Sequence, residues 1–405
     1  MATKPLSMEL MKEAVDAVHA HGSIRAASVF LKLPYSTLEA RLAAGKRAGL
    51  VAKSKGPDDP QTLKRAVADL KSELKAATQQ SADNAAIKAV IRELGAKANT
   101  EEVARWITAP IRKASSPGVP TLFLSDFHWG ENVRPSQIGG VNKFNIPIAR
   151  ERLHYCVETA IHLLRILDKG MDYPGIVVPL GGDMISGNIH DELTATNDLP
   201  TMPTVLDLYS ELIAAINRLA DVFGKVFLPC VTGNHGRDTM KIWKKDRHHT
   251  SFDWLMYQFL ARHFADDKRI RFYIPDGSDA LFKIYNTRYL LTHGDQFRGG
   301  DGIIGAIGPL MRGNQKKQAR NQAINQEYDL MICGHWHQYI HLTRMIVNGT
   351  LKGMDEYAYQ SNFSFEEPSQ ALWMTHPKYG ITYRMPVYVQ KKQTPKRAEW
   401  VSIQR

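Results

Sequence analysis

The sequence predicts an α/β protein preceded by a small all-α domain. In residues 119–390, short runs rich in β-branched residues alternate with longer amphipathic segments, as strands and helices do in an α/β sheet. Residues 1–50 instead hold three short helical patterns in succession. A third observation concerns chemistry. The apolar residues 176–180 run directly into two glycines and Asp183, and ligands of open α/β sheets bind at the carboxyl ends of strands. Asp183 is therefore a candidate for a metal ligand or a reacting group.

The composition bounds the class of protein. With 405 residues, of which 43% are hydrophobic, the chain has room for two or three domains with sizeable cores. A net charge of +11 favours an anionic partner, with nucleic acid as the first candidate; the alternative is a basic surface that has no such partner. Cys156, Cys230 and Cys333 are scattered in apolar surroundings and predict buried thiols in a reducing compartment. No secretory signal or membrane-spanning run is visible, so we expect a soluble cytoplasmic protein.

Residues 1–50 predict a helix-turn-helix domain. Gly22 ends an amphipathic first helix, and Leu33-Pro34 forces a turn before the third helix. Ser36 or Thr37 is expected to cap that third helix. The pattern places the three helices at about residues 7–21, 26–31 and 38–48.

A DNA-binding role for this domain fits its charge, since residues 1–55 hold nine Lys and Arg against four Asp and Glu. The three-helix pattern resembles the helix-turn-helix of small bacterial and phage DNA-binding domains. The pairing of such a domain with the α/β domain that follows it suggests a phage origin. The alternative is a three-helix interaction module that does not touch DNA. In the DNA-binding interpretation, the residues that face bases or phosphates are Tyr35, Ser36, Thr37 and Arg41.

Residues 51–117 predict a linker followed by a helical segment. Residues 51–63 are rich in Lys, Gly, Pro, Asp and Ser, which is a composition typical of linkers. Residues 63–113 have a helical pattern that would suit a dimer arm, although heptads do not persist long enough to predict a coiled coil. We therefore keep a homo-oligomer through this segment as an expectation. Residues 393–405 form a basic tail.

Residues 118–392 predict the α/β domain itself. Apolar runs indicate strands, several of which precede amphipathic helices, and the last two alternate as antiparallel strands do. The predicted strands are residues 119–124, 176–180, 225–231, 270–274, 280–285, 288–292, 328–333, 340–347 and 381–389. The predicted helices are residues 147–169, 204–223 and 251–265.

Polar side chains follow the carboxyl ends of five of these strands. Carboxylate, imidazole and carboxamide groups together suit Mn²⁺, Zn²⁺ or Fe rather than Ca²⁺. Asp-x-His and His-x-His place two side chains on one face of an extended segment. Any one pair alone is more often a turn or a cap, but five clusters at strand ends are hard to explain in that way. The candidate residues are Asp126, His128, Asp183, Asn234, His235, His293, His335 and His337.

This ordered set resembles the calcineurin-like metallophosphoesterase superfamily. The matching motifs are Asp126-x-His128, Gly182-Asp183, Gly233-Asn234-His235, His293-Gly294-Asp295 and Gly334-His335-x-His337. The resemblance covers roughly residues 119–390. It implies a four-layer α/β/β/α sandwich and two divalent metal ions, with Mn²⁺ expected and Fe, Zn or Mg as alternatives. It also implies which side chains hold each ion. One ion would be held by Asp126, His128, Asp183 and His337. The other would be held by Asp183, Asn234, His293 and His335.

The resemblance further implies a two-metal phosphoesterase mechanism. Two cations about 3.5–4 Å apart would lower the pKa of a bridging water, and the resulting hydroxide would attack phosphorus in line. The cations would neutralise the non-bridging oxygens as charge builds in the transition state. His235 would protonate or hydrogen-bond the leaving oxygen; the alternative is a purely structural role for this histidine.

Two departures point away from the protein phosphatases of this superfamily. Their second motif continues to an arginine, whereas Met-Ile-Ser-Gly-Asn follows Asp183 here. Their third motif ends in Glu, whereas Gly236 follows His235 here. The motifs are closer in style to the nuclease and general phosphodiesterase branches.

Basic residues beside the motifs are candidates for substrate contacts. A glycine-rich basic loop after Asp295 could track a phosphate backbone, and residues 237–249 could form the opposite wall. Trp243 could stack on a base, with packing against a helix as the alternative. His190 could line the pocket, with a loop-capping role as the alternative. The tentative substrate contacts are Arg237, His190, Arg298, Arg312 and Lys316.

These observations predict a metal-dependent phosphodiesterase that acts on DNA, a nuclease, with the N-terminal domain adding affinity or targeting. One alternative is a phosphatase or phosphodiesterase that acts on a small nucleotide-like substrate. Another is a non-catalytic DNA-binding regulator with a vestigial metal site, although the intact ligand set argues against it.

Overall fold

The computed structural model describes residues 6–50, 118–168, 172–299 and 305–392, and the chain divides into two compact units. The predicted linker and helical segment, residues 51–117, lie outside the described residues, as does the basic tail. The expected dimer arm therefore stays a prediction. No helix of the described residues is long and apolar enough to cross a bilayer.

The first unit holds three helices in its described part: α1 (Met8–His21), α2 (Ile24–Phe30) and α3 (Tyr35–Arg47). Ser7 Oγ accepts from the backbone N–H of Leu10, and Ser23 Oγ accepts from that of Ala26, so both of the first two helices have serine N-caps. Gly22 ends α1 in the left-handed conformation, at φ 70°. The helices pack through a small core that includes Ala14, Ala27 and Leu38.

The predicted start of the third helix was wrong by three residues. The helix begins at Tyr35, and neither Ser36 nor Thr37 caps it; Pro34 is the N-cap residue. The Pro34 carbonyl accepts from Thr37 N at 3.0 Å and from Leu38 N at 3.1 Å, so the proline that was expected to force a turn is also the N-cap residue of the helix.

The four residues predicted to meet DNA lie on this helix with different exposures. Tyr35 and Ser36 are exposed, whereas Thr37 and Arg41 are half-buried. Arg41 Nη1 lies 3.6 Å from Glu13 Oε2 of α1, so the guanidinium already forms an ion pair inside the unit.

The second unit is built on two sheets. Its strands are β1 (Val119–Phe123), β2 (Ile176–Val177), β3 (Val226–Pro229), β4 (Ile270–Tyr273), β5 (Asp279–Ile284), β6 (Thr287–Thr292), β7 (Leu330–Cys333), β8 (Ile340–Leu342), β9 (Met345–Val347), β10 (Ser369–His376) and β11 (Gly380–Tyr388). The first sheet has the order β11-β10-β1-β2-β3-β4, in which β1 to β4 are parallel. The second has the order β5-β6-β7-β9-β8.

Helices cover the outer faces of both sheets. They are α4 (Ile146–Leu167), α5 (Asp191–Thr196), α6 (Thr201–Phe223), α7 (Phe252–His263), α8 (Ile307–Ala323) and α9 (Glu356–Gln360). Buried residues of α4, α6 and α7 share one core with the first sheet, and Leu310 of α8 packs on the second. Phe123, Phe282 and Trp373 belong to a third core between the sheets. The predicted four-layer α/β/β/α order is therefore confirmed.

Three parts of the second unit were predicted wrongly. The run predicted as one strand over 340–347 is a hairpin of β8 and β9. The strand β10 was not predicted, because its apolar run is only four residues long and has polar residues on both sides. Gln370 of β10 is fully buried. Its burial is tolerated because its Oε1 accepts from Ser125 N at 2.9 Å and from Asn348 Nδ2 at 3.1 Å.

The third error concerns the glycine-rich basic loop, most of whose described residues form α8. The sequence lacks a clear helical pattern here, because two of the buried positions of the helix are a glycine and a lysine. Gly313 lies against the Phe297 ring, where any side chain would clash. Lys317 is buried and pairs with Asp279 Oδ1 at 2.6 Å. These tertiary contacts stabilise the helix.

Candidate metal centre

Loops that follow β1, β2, β3, β6 and β7 meet at the carboxyl ends of the parallel strands. Asp126 N donates to Gly182 O at 3.0 Å, and His335 N donates to Asp126 Oδ1 at 2.8 Å. His235 N donates to Asp183 Oδ1 at 2.6 Å. These hydrogen bonds join segments that are far apart in sequence, and they bring all the sequence-predicted ligands into one region.

One group of ligand atoms belongs to Asp126, His128 and His337, all within 4.8 Å of one another. The Nε2 atoms of His128 and His337 are 3.0 Å apart, and His337 Nε2 lies 3.6 Å from Asp126 Oδ1. Asp126 and His128 are buried, whereas His337 is half-buried at the open side.

A second group belongs to Asp183, His293 and His335. His293 Nε2 lies 3.0 Å from Asp183 Oδ2 and 3.1 Å from the side-chain oxygen of Asn234. Asp183 also forms a group with His128 and His235, so its carboxylate stands between the two sets. This arrangement suits the predicted sharing of Asp183, and it leaves His235 open as a ligand as well as a proton donor.

The donor set of this region fits divalent cations. His293 Nδ1 lies 2.8 Å from the Gly181 carbonyl, so the proton of the neutral ring belongs there and the Nε2 lone pair faces two oxygens. In the described part of the chain, Asp183 Oδ2 is buried and accepts no hydrogen bond of good geometry. Acceptors that face one another at about 3 Å are stable when a cation lies among them. Buried nitrogen and oxygen donors of this kind suit Mn²⁺, Fe or Zn²⁺.

Two sheets between helical layers, with all five motifs at adjoining strand ends in the expected order, decide the architecture. The chain has the calcineurin-like metallophosphoesterase fold. This confirms the resemblance in fold that the motifs indicate.

Comparisons with known proteins add little at the level of sequence. No family model matches the chain, and no curated protein matches it. Solved structures with similar folds include a dimetal phosphatase from Danio rerio, at 11% identity and a TM-score of 0.33, covering 68% of this chain and 100% of that chain. Zinc-bound Vps29 from Entamoeba histolytica has 12% identity and a TM-score of 0.27 over 66% of this chain and 99% of its own.

A protein from Streptococcus pneumoniae that is described as a predicted phosphoesterase is a third such structure. It shares 10% identity at a TM-score of 0.24, and the match covers 66% of this chain and 97% of that chain. The fold assignment rests on the order of the two sheets and on the positions of the motifs.

The charges of this metallophosphoesterase-fold site depend on one another. Burial disfavours the imidazolium of His293, but the carboxylates of Asp183 and Asp126 outweigh it and raise the pKa of His293 to about 10. Burial raises the pKa of Asp126 to about 7, an effect that the nearby His293 charge reduces. The metal-free site therefore holds a proton on His293 where a cation would otherwise balance the carboxylates.

The backbone at the candidate ligands is strained. A positive φ is uncommon outside glycine and costs of order 1–3 kcal/mol at a non-glycine residue. Five candidate ligands share this conformation, with φ between 48° and 71°. They are Asp126, His128, Asp183, His335 and His337. Strain that recurs at the ligands themselves is typical of a functional site.

Glycines let two of the loops interlock. A side chain on Gly182 would overlap the backbone of Gly233, and one on Gly233 would overlap Asp183. Gly182 also has φ 86°, which only glycine adopts without strain. The glycines of these motifs are therefore required for the close approach of the loops that carry Asp183 and Asn234.

His235 stands at the edge of the site with a fixed orientation. Its Nδ1 lies 3.0 Å from the Ser186 carbonyl, so the Nδ1 proton points there and Nε2 remains for chemistry. Its ring centroid is 4.5 Å from that of His128. Burial lowers the pKa of His235, so the ring is neutral near pH 7. The exposed His190 lies 6.1 Å from it, centroid to centroid, which places this tentative contact beside the site.

The predicted basic contacts are placed less favourably for a substrate. Arg237 donates to the carbonyls of Asn234, Thr239 and Met240, so its guanidinium holds its own loop together. Arg298 is exposed in the loop after β6, and both Arg312 and Lys316 are exposed on α8. Their contact with substrate stays a prediction.

Trp243 lies in an irregular segment of the chain, and neither base stacking nor packing against a helix is decided by this. Its side chain is 49% exposed and lines a recess beside Asn234 together with Arg237 and Arg247.

Sequence reasoning missed Asp253, which lies at the start of α7. This fully buried carboxylate accepts from Asp183 N at 3.1 Å, Met184 N at 3.3 Å and Gly233 N at 2.9 Å. It therefore joins the loops that carry two of the candidate ligands. The only available signal was an acidic residue in the first turn of a helix, which is common for other reasons.

Replacing Asp253 by Asn should weaken metal binding. The amide oxygen cannot replace all three charge-assisted hydrogen bonds, so the two loops lose their fixed separation. We expect the metal concentration that gives half-maximal activity to rise about 10- to 100-fold. Titration of activity with free Mn²⁺ measures this. Asp191→Asn, in the exposed first turn of α5, is the matched control. An unchanged titration would show that Asp253 does not position the ligands.

A buried cation behind the first ligand group was also missed. Lys352 Nζ lies 2.9 Å from both carboxylate oxygens of Glu131 and also pairs with Asp355. Glu131 Oε2 lies 3.5 Å from His128 Nδ1 on the side away from the site. The two acids raise the pKa of Lys352 against its burial, so this lysine stays charged. Lys352 therefore holds in place the Glu131 carboxylate that lies beside His128 Nδ1.

Replacing Lys352 by Met should strongly destabilise the protein. Two buried carboxylates would then lack their counter-charge, which costs about 3–5 kcal/mol in the free energy of unfolding. Urea denaturation of the full chain measures this. Lys392→Met, which breaks an exposed pair with Glu367, should cost less than about 1 kcal/mol. Adding Glu131→Gln to Lys352→Met should recover part of the loss. Equal effects of the two lysine variants would contradict the argument.

Proposed function

We propose that this protein is a metal-dependent phosphoesterase that hydrolyses phosphodiesters in nucleic acid. The observation that carries the proposal is the convergence of nitrogen and oxygen donor atoms of Asp183, Asn234 and His293 at 3.0–3.1 Å. The fold supports it, because it places these donors at the carboxyl ends of parallel strands. When bound there, two divalent cations would polarise the phosphate and lower the pKa of an attacking water.

The residues of the chain would divide the remaining work. Asp126, His128 and His337 would hold one cation, and Asn234, His293 and His335 would hold the other, with Asp183 shared. His235 would take up a proton from solvent at Nε2 and give it to the leaving oxygen, while its Nδ1–H stays hydrogen-bonded to the Ser186 carbonyl.

A nucleic-acid substrate is supported by charge. The chain carries a net charge of +11, and the N-terminal helices hold exposed positions that could meet a phosphate backbone. One observation favours the small-substrate alternative. Lys317 and Arg320 are both paired with Asp279, and Arg237 is engaged by carbonyls, so less basic surface remains for a phosphate backbone.

Cleavage assays distinguish these functions. Labelled linear and circular DNA and bis-p-nitrophenyl phosphate would each be incubated with Mn²⁺, or with EDTA. Cleavage of DNA that requires Mn²⁺ supports the nuclease, and the circular substrate shows whether free ends are needed. Hydrolysis of the small diester with intact DNA would favour the small-substrate alternative. No activity on either would contradict the proposed function and favour a non-catalytic regulator.

Removing residues 1–50 should separate binding from chemistry. If the N-terminal helices contact DNA, the shortened chain should lose affinity for DNA and should lose much of the salt dependence of binding. Its rate on bis-p-nitrophenyl phosphate should stay within about twofold, since the candidate ligands lie in the other unit. Fluorescence anisotropy at several salt concentrations measures the first effect. Unchanged DNA affinity would favour the protein-interaction module.

A further inference from the structure

A second cluster of imidazole and carboxylate groups lies apart from the residues assigned above. The 3₁₀ turn Arg247–Thr250 carries two adjacent histidines, and Asp276 follows β4. One ligand atom from each of His248, His249 and Asp276 lies within 4.8 Å of the others. His248 is 7% exposed, whereas the Asp276 side chain is 80% exposed, so the cluster is closed on one side and open to solvent on the other.

We propose that His248, His249 and Asp276 form an additional binding site for a zinc-like divalent cation. Two imidazoles and one carboxylate, with an open position for water, are a donor set that binds Zn²⁺. The site would be separate from the central one, and it does not depend on the proposed phosphoesterase activity.

The distances suit ligands of a common ion better than direct contacts. His248 Nε2 and Asp276 Oδ1 are 3.8 Å apart, which is too long for a hydrogen bond between them. Two ligands of a tetrahedral ion with bonds of about 2.0–2.1 Å are separated by about 3.3 Å, so a small shift of the exposed aspartate would complete the geometry. The histidine rings lie 3.9 Å apart, centroid to centroid, which places both near the same point.

A cation bound by His248, His249 and Asp276 would have a structural role. Arg247, which precedes the two histidines, donates to Gly233 O at 3.1 Å and pairs with Asp295 at 2.9 Å. Thr250, which follows them, lines the recess beside Asn234. A cation at this site would tie the turn to the segment after β4 and so hold the loop that backs the Asn234 motif.

Metal content tests the proposal. The full-length protein would be stripped of metal, reloaded with Zn²⁺ and passed through a desalting column, and the bound zinc would be counted by mass spectrometry. Asp276→Ala removes an exposed ligand with little risk to folding, and His248→Gln with His249→Gln removes the other two. His162→Gln, an exposed histidine of α4, is the matched control.

We expect the Asp276 variant and the double histidine variant each to retain one zinc ion fewer per chain than the wild type and the control. Repeating the comparison in an Asp183→Asn background should give the same difference of one ion, since the central site is already impaired there. Equal zinc content in the wild type and the Asp276 variant would overturn the proposal. If the double variant fails to fold by circular dichroism, the Asp276 result decides.

Discussion

Replacement of Asp183 by Asn is expected to reduce phosphodiester hydrolysis at least ~10³-fold, because this carboxylate contributes to both proposed cation sites. Asp183 Oδ2 lies 3.0 Å from His293 Nε2, and Asp183 also groups with His128 and His235. The amide has the same shape but lacks the negative charge that two cations require. The substitution therefore removes charge rather than packing.

Rates on bis-p-nitrophenyl phosphate, together with metal content, measure this effect. Asp172→Asn, at an exposed loop position, is the control for a lost carboxylate elsewhere. We expect the Asp183 variant to lose metal and activity while its circular dichroism spectrum stays that of the wild type. A variant that keeps full activity would mean that the central site is not the catalytic one.

Replacement of His235 by Gln is expected to lower kcat by about 10²–10³-fold while metal content stays unchanged. The Ser186 carbonyl fixes Nδ1, and burial keeps the ring neutral, so Nε2 is suited to accept and return one proton. Gln can retain a hydrogen bond to the leaving oxygen, but it cannot transfer a proton. The effect should therefore fall on kcat more than on KM.

The choice of leaving group sharpens this test. A p-nitrophenolate leaving group needs little protonation, whereas the alkoxide released from DNA needs it, so the loss should be larger on DNA. His154→Gln, exposed on α4, is the control. Loss of bound metal in the His235 variant would instead identify this residue as a ligand, as its proximity to Asp183 and His128 allows.

The sequence could predict which side chains the fold brings together, because the candidate ligands lie in local motifs. Each motif follows an apolar run, and the parallel order of β1, β2 and β3 brings the strand ends together. Residue types such as His and Asp at these ends carry their ligand chemistry wherever they are placed. The buried cysteines were predicted for the same reason: all three are free and buried, in apolar stretches.

The supporting residues could not be predicted in this way. Asp253 reaches Asp183 across 70 positions of sequence, and Lys352 reaches Glu131 across 221. Neither stands in a motif, and an acidic residue at a helix start or a lone lysine usually lies in solvent. Only the packing of distant segments shows that their partners are buried.

The sequence by itself thus determined the α/β class, the residue types of the candidate metal centre and the strand ends that carry them, because periodicity and residue type are local properties. The tertiary structure decided the place of β10 between β11 and β1, the helical state of α8, and the use of basic residues for internal ion pairs. Each of these depends on hydrogen bonds and charge pairs between remote segments, such as Gln370 with Ser125 and Lys317 with Asp279. Burial makes such contacts strong, and burial is set by the whole fold.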